Sequence, residues 1–373
     1  MSDAPLPPSV APFASTFTPE VPDLLAALRC SLALSTYQAG RVVLFSPRGE
    51  ALAQLNRSFE APMGLAVTGS GAGLRLAVAT KDALHTFANA PTLAATYPNQ
   101  PDTYDALLVP RTTHYTGPLD LHDMAWDASG TLVAVNTRFS CLCRVDGPHA
   151  FEPVWTPPFI TALDPSDRCH LNGLALDGDG RPAVVSALGA TDTPRGWSDD
   201  RLRGGLLIDV PSGETIATGL AMPHSPRLVG DRLYVLQSAT GRLSTVDRDS
   251  GTVTDVCDVG GFARGLARRG DYLFVGLSKI RGRSTFAGLP VSDRANTAGV
   301  AIVHEPSGRV AGTIRFEASV EEIYDVAVLP ETVRPGLVGP GQAVRGRAIP
   351  VQGGGFWALD APPDAPPDAS PAA

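Results

Sequence analysis

The chain has 373 residues, 43% of them apolar and 18% charged: enough apolar material for a large core, and too little charge for a disordered chain. Thirty Lys and Arg against 38 Asp and Glu give a net charge of −8, which argues against a basic nucleic-acid-binding face. No apolar run reaches the roughly 20 residues that span a bilayer. The start MSDAPLPPSVAPF shows no secretory-leader pattern, and five Cys do not suit a disulfide framework, so a cytoplasmic protein without membrane or nucleic-acid partners is expected.

Residues 1–28 read as an N-terminal arm with a short helical stretch near Asp23–Leu28. Three strand-like runs follow: SLALSTY (31–37), GRVVLFSPRG (40–49) and EALAQLN (50–56). Then a repeat begins. Six segments pair a special residue with a short apolar run, and Gly64, Asp123, Gly173, Pro226, Gly265 and Asp325 take the equivalent position, 39–60 residues apart. A second run follows in five of them, LRLAVAT (74–80), TLVAVNT (131–137), RPAVVSA (181–187), RLYVLQS (232–238) and YLFVGLS (272–278), often across a Gly/Asp/Ser turn. Third and fourth runs come after these. Four strands per unit at this period define propeller blades.

The sixth inner strand, near Tyr324–Val328, has no run behind it. The three N-terminal runs supply its missing partners, so the ring closes without a free edge. The expected architecture is an all-β, six-bladed propeller over residues 29–330, followed by a Pro/Gly-rich tail, 331–373. The last stretch of that tail, 361–373, lacks the apolar content to pack. The competing reading is an open sandwich with coincidental spacing.

In a propeller the starts of the inner strands meet at one mouth of the central channel. Those starts carry Met63, His122, His170 with Asn172, His224, Arg264, and Glu322 with Tyr324. The long connections 97–121, 156–169, 188–204 and 278–297 fall on the same face, where sites are built. His122, His170 and His224 occupy matched places in three successive blades. Converging neutral imidazoles suit a divalent transition metal, Zn or alternatively Cu or Fe, with one coordination position left open. The plainer alternative is three separate channel histidines bonded to water or carboxylates. Arg138, Arg227 and Arg264 are candidates to orient an anionic group, or to pair with Asp123, Asp167 or Glu322. Tyr115 and Tyr324 are candidates to move a proton if their pKa falls. Met222, Asn172, Asp123 and Glu322 complete the expected substrate pocket, and the last three offer an oxygen set for Ca²⁺ instead. Cys141 and Cys143 share one strand face and read as buried small side chains before a metal pair.

The strings Tyr37-Gln38-Ala39-Gly40, Tyr104-Asp105-Ala106-Leu107, Asn136-Thr137-Arg138-Phe139-Ser140-Cys141, Asp167 to Ala175 and Met222 to Arg227 resemble a bacterial conserved-hypothetical family of propeller repeats. That resemblance spans roughly Ser35 to Pro330 and brings no activity with it. Locally, Met222-Pro223-His224-Ser225 with Gly241-Arg242-Leu243 looks like a blade of the peptidylglycine amidating lyase, a six-bladed propeller with a His-bound zinc in its channel. It implies His224 as a metal ligand alongside His122 and His170, with Met222 and Arg264 or Arg138 beside the metal. The sequence thus leads to a metal-dependent enzyme of lyase or hydrolase type, acting on a small or peptidic, anionic substrate at the channel mouth. The alternatives are a non-enzymatic propeller that binds a peptide or protein through its loops, and a Cu/Fe oxidoreductase. Oligomeric state is left open.

Overall fold

The computed structural model describes residues 10–98, 100–280 and 288–358. Six four-stranded antiparallel blades follow one another around an axis. Blade one runs outward from Asp325–Pro330 through Cys30–Thr36, Arg41–Arg48 and Ala51–Ser58. Blade two begins at Leu65–Thr68, blade three at Leu121–Trp126, blade four at Leu171–Leu176, blade five at Pro223–Val229 and blade six at Phe262–Arg269. Each inner strand packs on the next, and the last packs on the first.

The closure read from the sequence is present. Cys30–Ser35 pairs with Pro330–Asp325, register Ser31↔Leu329 to Ser35↔Asp325, so the two ends of the repeat share one sheet. Within the described part of the arm, residues 15–27 pack on the propeller. Ser15–Phe17 adds a fifth strand to the rim of blade six, and the helix Glu20–Ala27 buries Val21 and Leu25 completely against blades one and six. Beyond residue 330, Pro335–Leu337 pairs in parallel with Ala106–Leu108, and a hairpin of Ala348–Val351 and Gly354–Trp357 packs on the short helix Pro91–Ala95. Residues 361–373 lie outside the described residues.

One expected loop is a strand. The 97–121 connection contains Ala106–Tyr115, the ten-residue outer strand of blade two. Pro110 hid it: proline breaks a ladder except at bulges and edges, and the register shifts between its partner Phe87 and Thr86.

The repeated Gly/Asp position alternates around the ring, and the structure gives the reason. In blades two, four and six it is glycine because the next inner strand passes too close for a side chain. A Cβ on Gly173 would meet Pro226 Cδ at 2.3 Å, and one on Gly265 would meet Val326 N at 2.5 Å. In blades one, three and five it is a short acceptor that ties down a backbone N–H of the following blade. Asp325 accepts from Leu65 N (2.8 Å), Asp123 from Leu174 N (3.1 Å) and Ser225 Oγ from Gly265 N (3.0 Å). The blade-five equivalent is therefore Ser225, one residue before the expected Pro226. Gly265 also has φ +76°, a conformation costly for any other L-residue. Gly265→Ala is expected to cost about 3 kcal/mol from strain and overpacking together. Urea unfolding checks this; a loss below 0.5 kcal/mol, the scale of a neutral surface change, would mean the strands do not approach as closely as described.

A second set of latches lies nearer the mouth. Hydroxyls at the ends of second strands donate to backbone carbonyls of the next blade: Ser35 to Met63, Thr137 to Leu171, Ser238 to Ala263 and Ser278 to Ile323, at 2.5–3.0 Å.

Candidate functional site

The residue just before each of the six alternating positions makes a ring at the channel mouth: Met63, His122, Asn172, His224, Arg264 and Tyr324. All except His122 are at most 7% exposed.

His170 does not belong to that ring, which corrects the matched placing of three histidines. Asp120, His170 and Met222 are the true equivalents. Each has positive φ, 50–55°, and each offers its carbonyl to the first N–H past the second strand, from Thr137, Leu188 and Ser238 respectively. His122 and His224 stand two residues after that point, where blade four carries Asn172. His170 sits one pleat higher. Its ring still meets that of His122, edge on, with centroids 5.0 Å apart.

All three imidazoles are held by Nδ1. That of His122 donates to the Asp120 carbonyl (2.9 Å) and meets Thr137 Oγ1 (2.7 Å), whose own proton is committed to Leu171 O. The cradle repeats at His224 with the Met222 carbonyl (3.0 Å) and Ser238 Oγ (2.8 Å). His170 Nδ1 bonds the Asp167 carboxylate at 2.9 and 3.1 Å. Carbonyls only accept, so Nδ1 of His122 and of His224 carries a proton, and in the neutral ring Nε2 keeps its lone pair. Among the described residues no hydrogen bond engages any of the three Nε2 atoms. Burial, with the neighbouring charges of His170 and Arg264, holds His122 well below the usual imidazole range, and burial and Arg264 do the same for His224. Both are neutral at ordinary pH.

Two residues at the mouth carry unsaturated donor capacity. Asn172 Oδ1 accepts from Ser186 Oγ (2.6 Å), but its Nδ2 has no partner, at 3% residue exposure. Arg264 is held by Glu322 (2.9 Å) through one nitrogen, and its guanidinium lies 3.9 Å from the Tyr324 ring centroid. Tyr324 also faces His122 (5.1 Å) and Tyr37 (5.7 Å). The wall over blades four to six is apolar: Trp197 stacks on His170 at 4.4 Å and packs with Met222, Phe262 and Val291.

Several expected roles change. A proton-moving role for Tyr324 required a fall in its pKa; burial instead pushes the hydroxyl well above its usual value. Tyr115 is 81% exposed on the outermost strand of blade two, away from the channel. Arg138 pairs with Asp120 (2.8 Å) at the edge of the mouth. Arg227 lies deeper, its fork spent on Asp123 (2.7 and 3.2 Å) and on the carbonyls of Leu174, Pro226 and Leu266. With Asp123 on Arg227 and Glu322 on Arg264, Asp123, Asn172 and Glu322 form no oxygen cage for Ca²⁺. Cys141, Cys143 and Cys169 are fully buried core residues; burial pushes the thiols of Cys141 and Cys169 up to about 12 and raises that of Cys143 well above its usual value. Among the described residues no group of three or more His, Cys, Asp or Glu is arranged to hold a metal ion.

Asp325 has a measurable consequence. Burial and the adjacent Asp123 charge raise its pKa from 3.8 to about 7. Between those values the folded chain holds a proton that the unfolded chain has released. Stability from this group is therefore complete at low pH and is lost as pH rises to about 7. Asp325→Asn is expected to remove up to about 1.4 kcal/mol per pH unit of slope over that window; chemical denaturation at pH 4.5, 5.5 and 6.5 reads it, and parallel wild-type and variant curves would refute the assignment.

Sequence reasoning missed Asp167 as the partner of His170, and Thr137, Ser238 and Trp197 entirely. The string Asp167-Arg-Cys-His170 held the first of these: a positive φ at Asp167 (51°) folds the carboxylate back onto the ring. Trp197 donates Nε1 to the same carboxylate at 3.0 Å.

These features define the class: a six-bladed β-propeller whose polar side chains converge at one channel mouth. The chain belongs to the family described as a domain of unknown function (DUF4915), which matches residues 19–338. No curated protein matches it. A solved chain from the crystal structure of a nidogen/laminin complex is similar in fold, with TM-score 0.50 and 11% identity over 81% of this chain and 98% of that one. A protein of unknown function from Bacteroides caccae gives 0.49 and 8% over 80% and 98%. The family match gives the family and the first of these structures the fold; neither shows a likeness to the amidating lyase. No helix among the described residues is long and apolar enough to cross a membrane.

Proposed function

We propose that this propeller acts on a small molecule, or a peptide end, whose anionic group is held at the channel mouth by Arg264 and Asn172. The carrying observation is the unpartnered, buried Nδ2 of Asn172 in the same ring as the Arg264 guanidinium, because an unsatisfied buried donor is costly unless a ligand completes it. Neutral His122 and His224 supply Nε2 lone pairs to a ligand hydroxyl or a water. An oriented base beside a fixed anion suffices for lyase or hydrolase chemistry; a protein that only binds would use the same contacts without turnover. The test is calorimetric titration with acetate, benzoate and phosphate. Saturable binding at one site per chain supports the reading, and no binding of any at millimolar concentration contradicts it.

A second reading has its own observation. Histidines that bind metals have their other nitrogen fixed by a carbonyl or carboxylate, as all three are here, and the 5.0 Å between the His122 and His170 rings is near what two imidazoles on one tetrahedral ion would show, about 5 Å from standard bond lengths. A Zn, Cu or Fe ion would then act as Lewis acid or redox centre. Equilibrium dialysis of tag-free protein against Zn²⁺ is expected to give one bound equivalent, lost in the His122→Ala/His170→Ala variant. No retained zinc ends the metal reading and leaves the anion reading standing.

A further inference from the structure

The ring at the mouth has an order as well as a composition. Across blades three to six it runs His122, Asn172, His224, Arg264. In hydrogen-bonding terms that is acceptor, donor, acceptor, donor. The protein fixes both acceptors. Each Nδ1 proton is held by a backbone carbonyl, that of Asp120 for His122 (2.9 Å) and that of Met222 for His224 (3.0 Å). The hydroxyl beside each Nδ1, on Thr137 or Ser238, has given its own proton to another carbonyl. Turning either ring over would forfeit both contacts, so each offers a lone pair at Nε2. The amide of Asn172 is fixed too: Oδ1 accepts from Ser186 Oγ (2.6 Å), and Nδ2 is left without a partner.

A carboxylate held by Asn172 and Arg264 straddles His224, the residue between them, and leaves His122 on the far side of Asn172. The contact with His224 falls to a group on the carbon next to the carboxylate, and that group must donate. An ammonium there would add a positive charge beside Arg264, whose charge already acts on both imidazoles. A hydroxyl donates without charge.

Resting on the anion reading above, we propose that the mouth selects hydroxycarboxylic acids: carboxylate on Asn172 and Arg264, a 2-hydroxyl donating to His224 Nε2 and a 3-hydroxyl donating to His122 Nε2. An acid without hydroxyls leaves two oriented acceptors unpaired, which is how a site built for a hydroxyl rejects the analogue that lacks it.

Four three-carbon acids separate these contacts: propionate, lactate, glycerate and alanine. Each is titrated calorimetrically near neutral pH into protein stripped of metal by a chelator and returned to chelator-free buffer, so that chelation by a bound ion cannot supply the preference. The better enantiomer of lactate is expected to bind about fivefold more tightly than propionate, and that of glycerate about fivefold more tightly than lactate, one neutral hydrogen bond at each step. Alanine is expected to bind more weakly than propionate. His224→Leu is expected to erase the advantage of lactate over propionate, and His122→Leu that of glycerate over lactate, each with propionate binding retained. If a variant does not fold, the wild-type series decides. Equal binding of propionate, lactate and glycerate overturns the hydroxy-acid assignment and leaves the anion reading standing, whereas no binding of any acid ends both. Alanine binding as tightly as lactate, or a hydroxyl advantage that survives in folded His224→Leu and His122→Leu, also overturns the assignment.

Discussion

Asp123→Ala is expected to destabilise the fold by about 3–5 kcal/mol, the range found when one partner of a buried ion pair is removed. The carboxylate has three tasks at once. It meets both terminal nitrogens of Arg227, it accepts Leu174 N from blade four, and it accepts Met124 N from its own strand. The alanine strands a guanidinium in the channel and cuts one of the three ties in which a side-chain acceptor holds a backbone N–H of the next inner strand. Arg227→Met in the same background relieves the stranded charge but not the lost tie, so the double variant is expected to recover part of the loss. A double variant as unstable as Asp123→Ala alone would show that the charge is not what matters, and urea midpoints with unchanged slopes make the comparison.

Arg264→Gln is expected to weaken binding of a small anion at the mouth by roughly 10- to 150-fold, from the 1.5–3 kcal/mol of a hydrogen bond to a charged group. The guanidinium is positioned before any ligand arrives, one nitrogen on Glu322 and its face on Tyr324, so little ordering is left for binding to supply. Gln keeps a donor and loses the charge and the fork. Asn172→Ala is expected to have a smaller effect, since a neutral amide contributes about 1 kcal/mol. If both variants bind anions as the wild type does, the anion sits elsewhere.

The fold was legible because its repeat is written twice, once in apolar runs and once in the alternating Gly and Asp. Gly64, Asp123, Gly173, Gly265 and Asp325 stand out in sequence for the reason they exist, the close approach of inner strands. What failed was local register. Three histidines near strand starts look equivalent in the text, but His170 stands three residues before Gly173, whereas His122 and His224 stand one before Asp123 and Ser225. His170 takes the place of Asp120 and Met222, whose shared positive φ is invisible in composition because none of the three is glycine. The strand at Ala106–Tyr115 was hidden by its Pro110 and carried Tyr115 with it to the rim. Asp167, Thr137 and Ser238 lay in plain sight, but their role depends on which way a chain turns between blades.

A crystal structure of the protein soaked in benzoate reads the anion site without assuming any reaction. The carboxylate is expected within hydrogen-bonding distance of Arg264 and Asn172 Nδ2, inside the ring of Met63, His122, Asn172, His224, Arg264 and Tyr324. Density for benzoate on the outer surface alone, with the ring empty and Asn172 Nδ2 bonded to protein, would contradict the assignment of this mouth as the working end of the molecule.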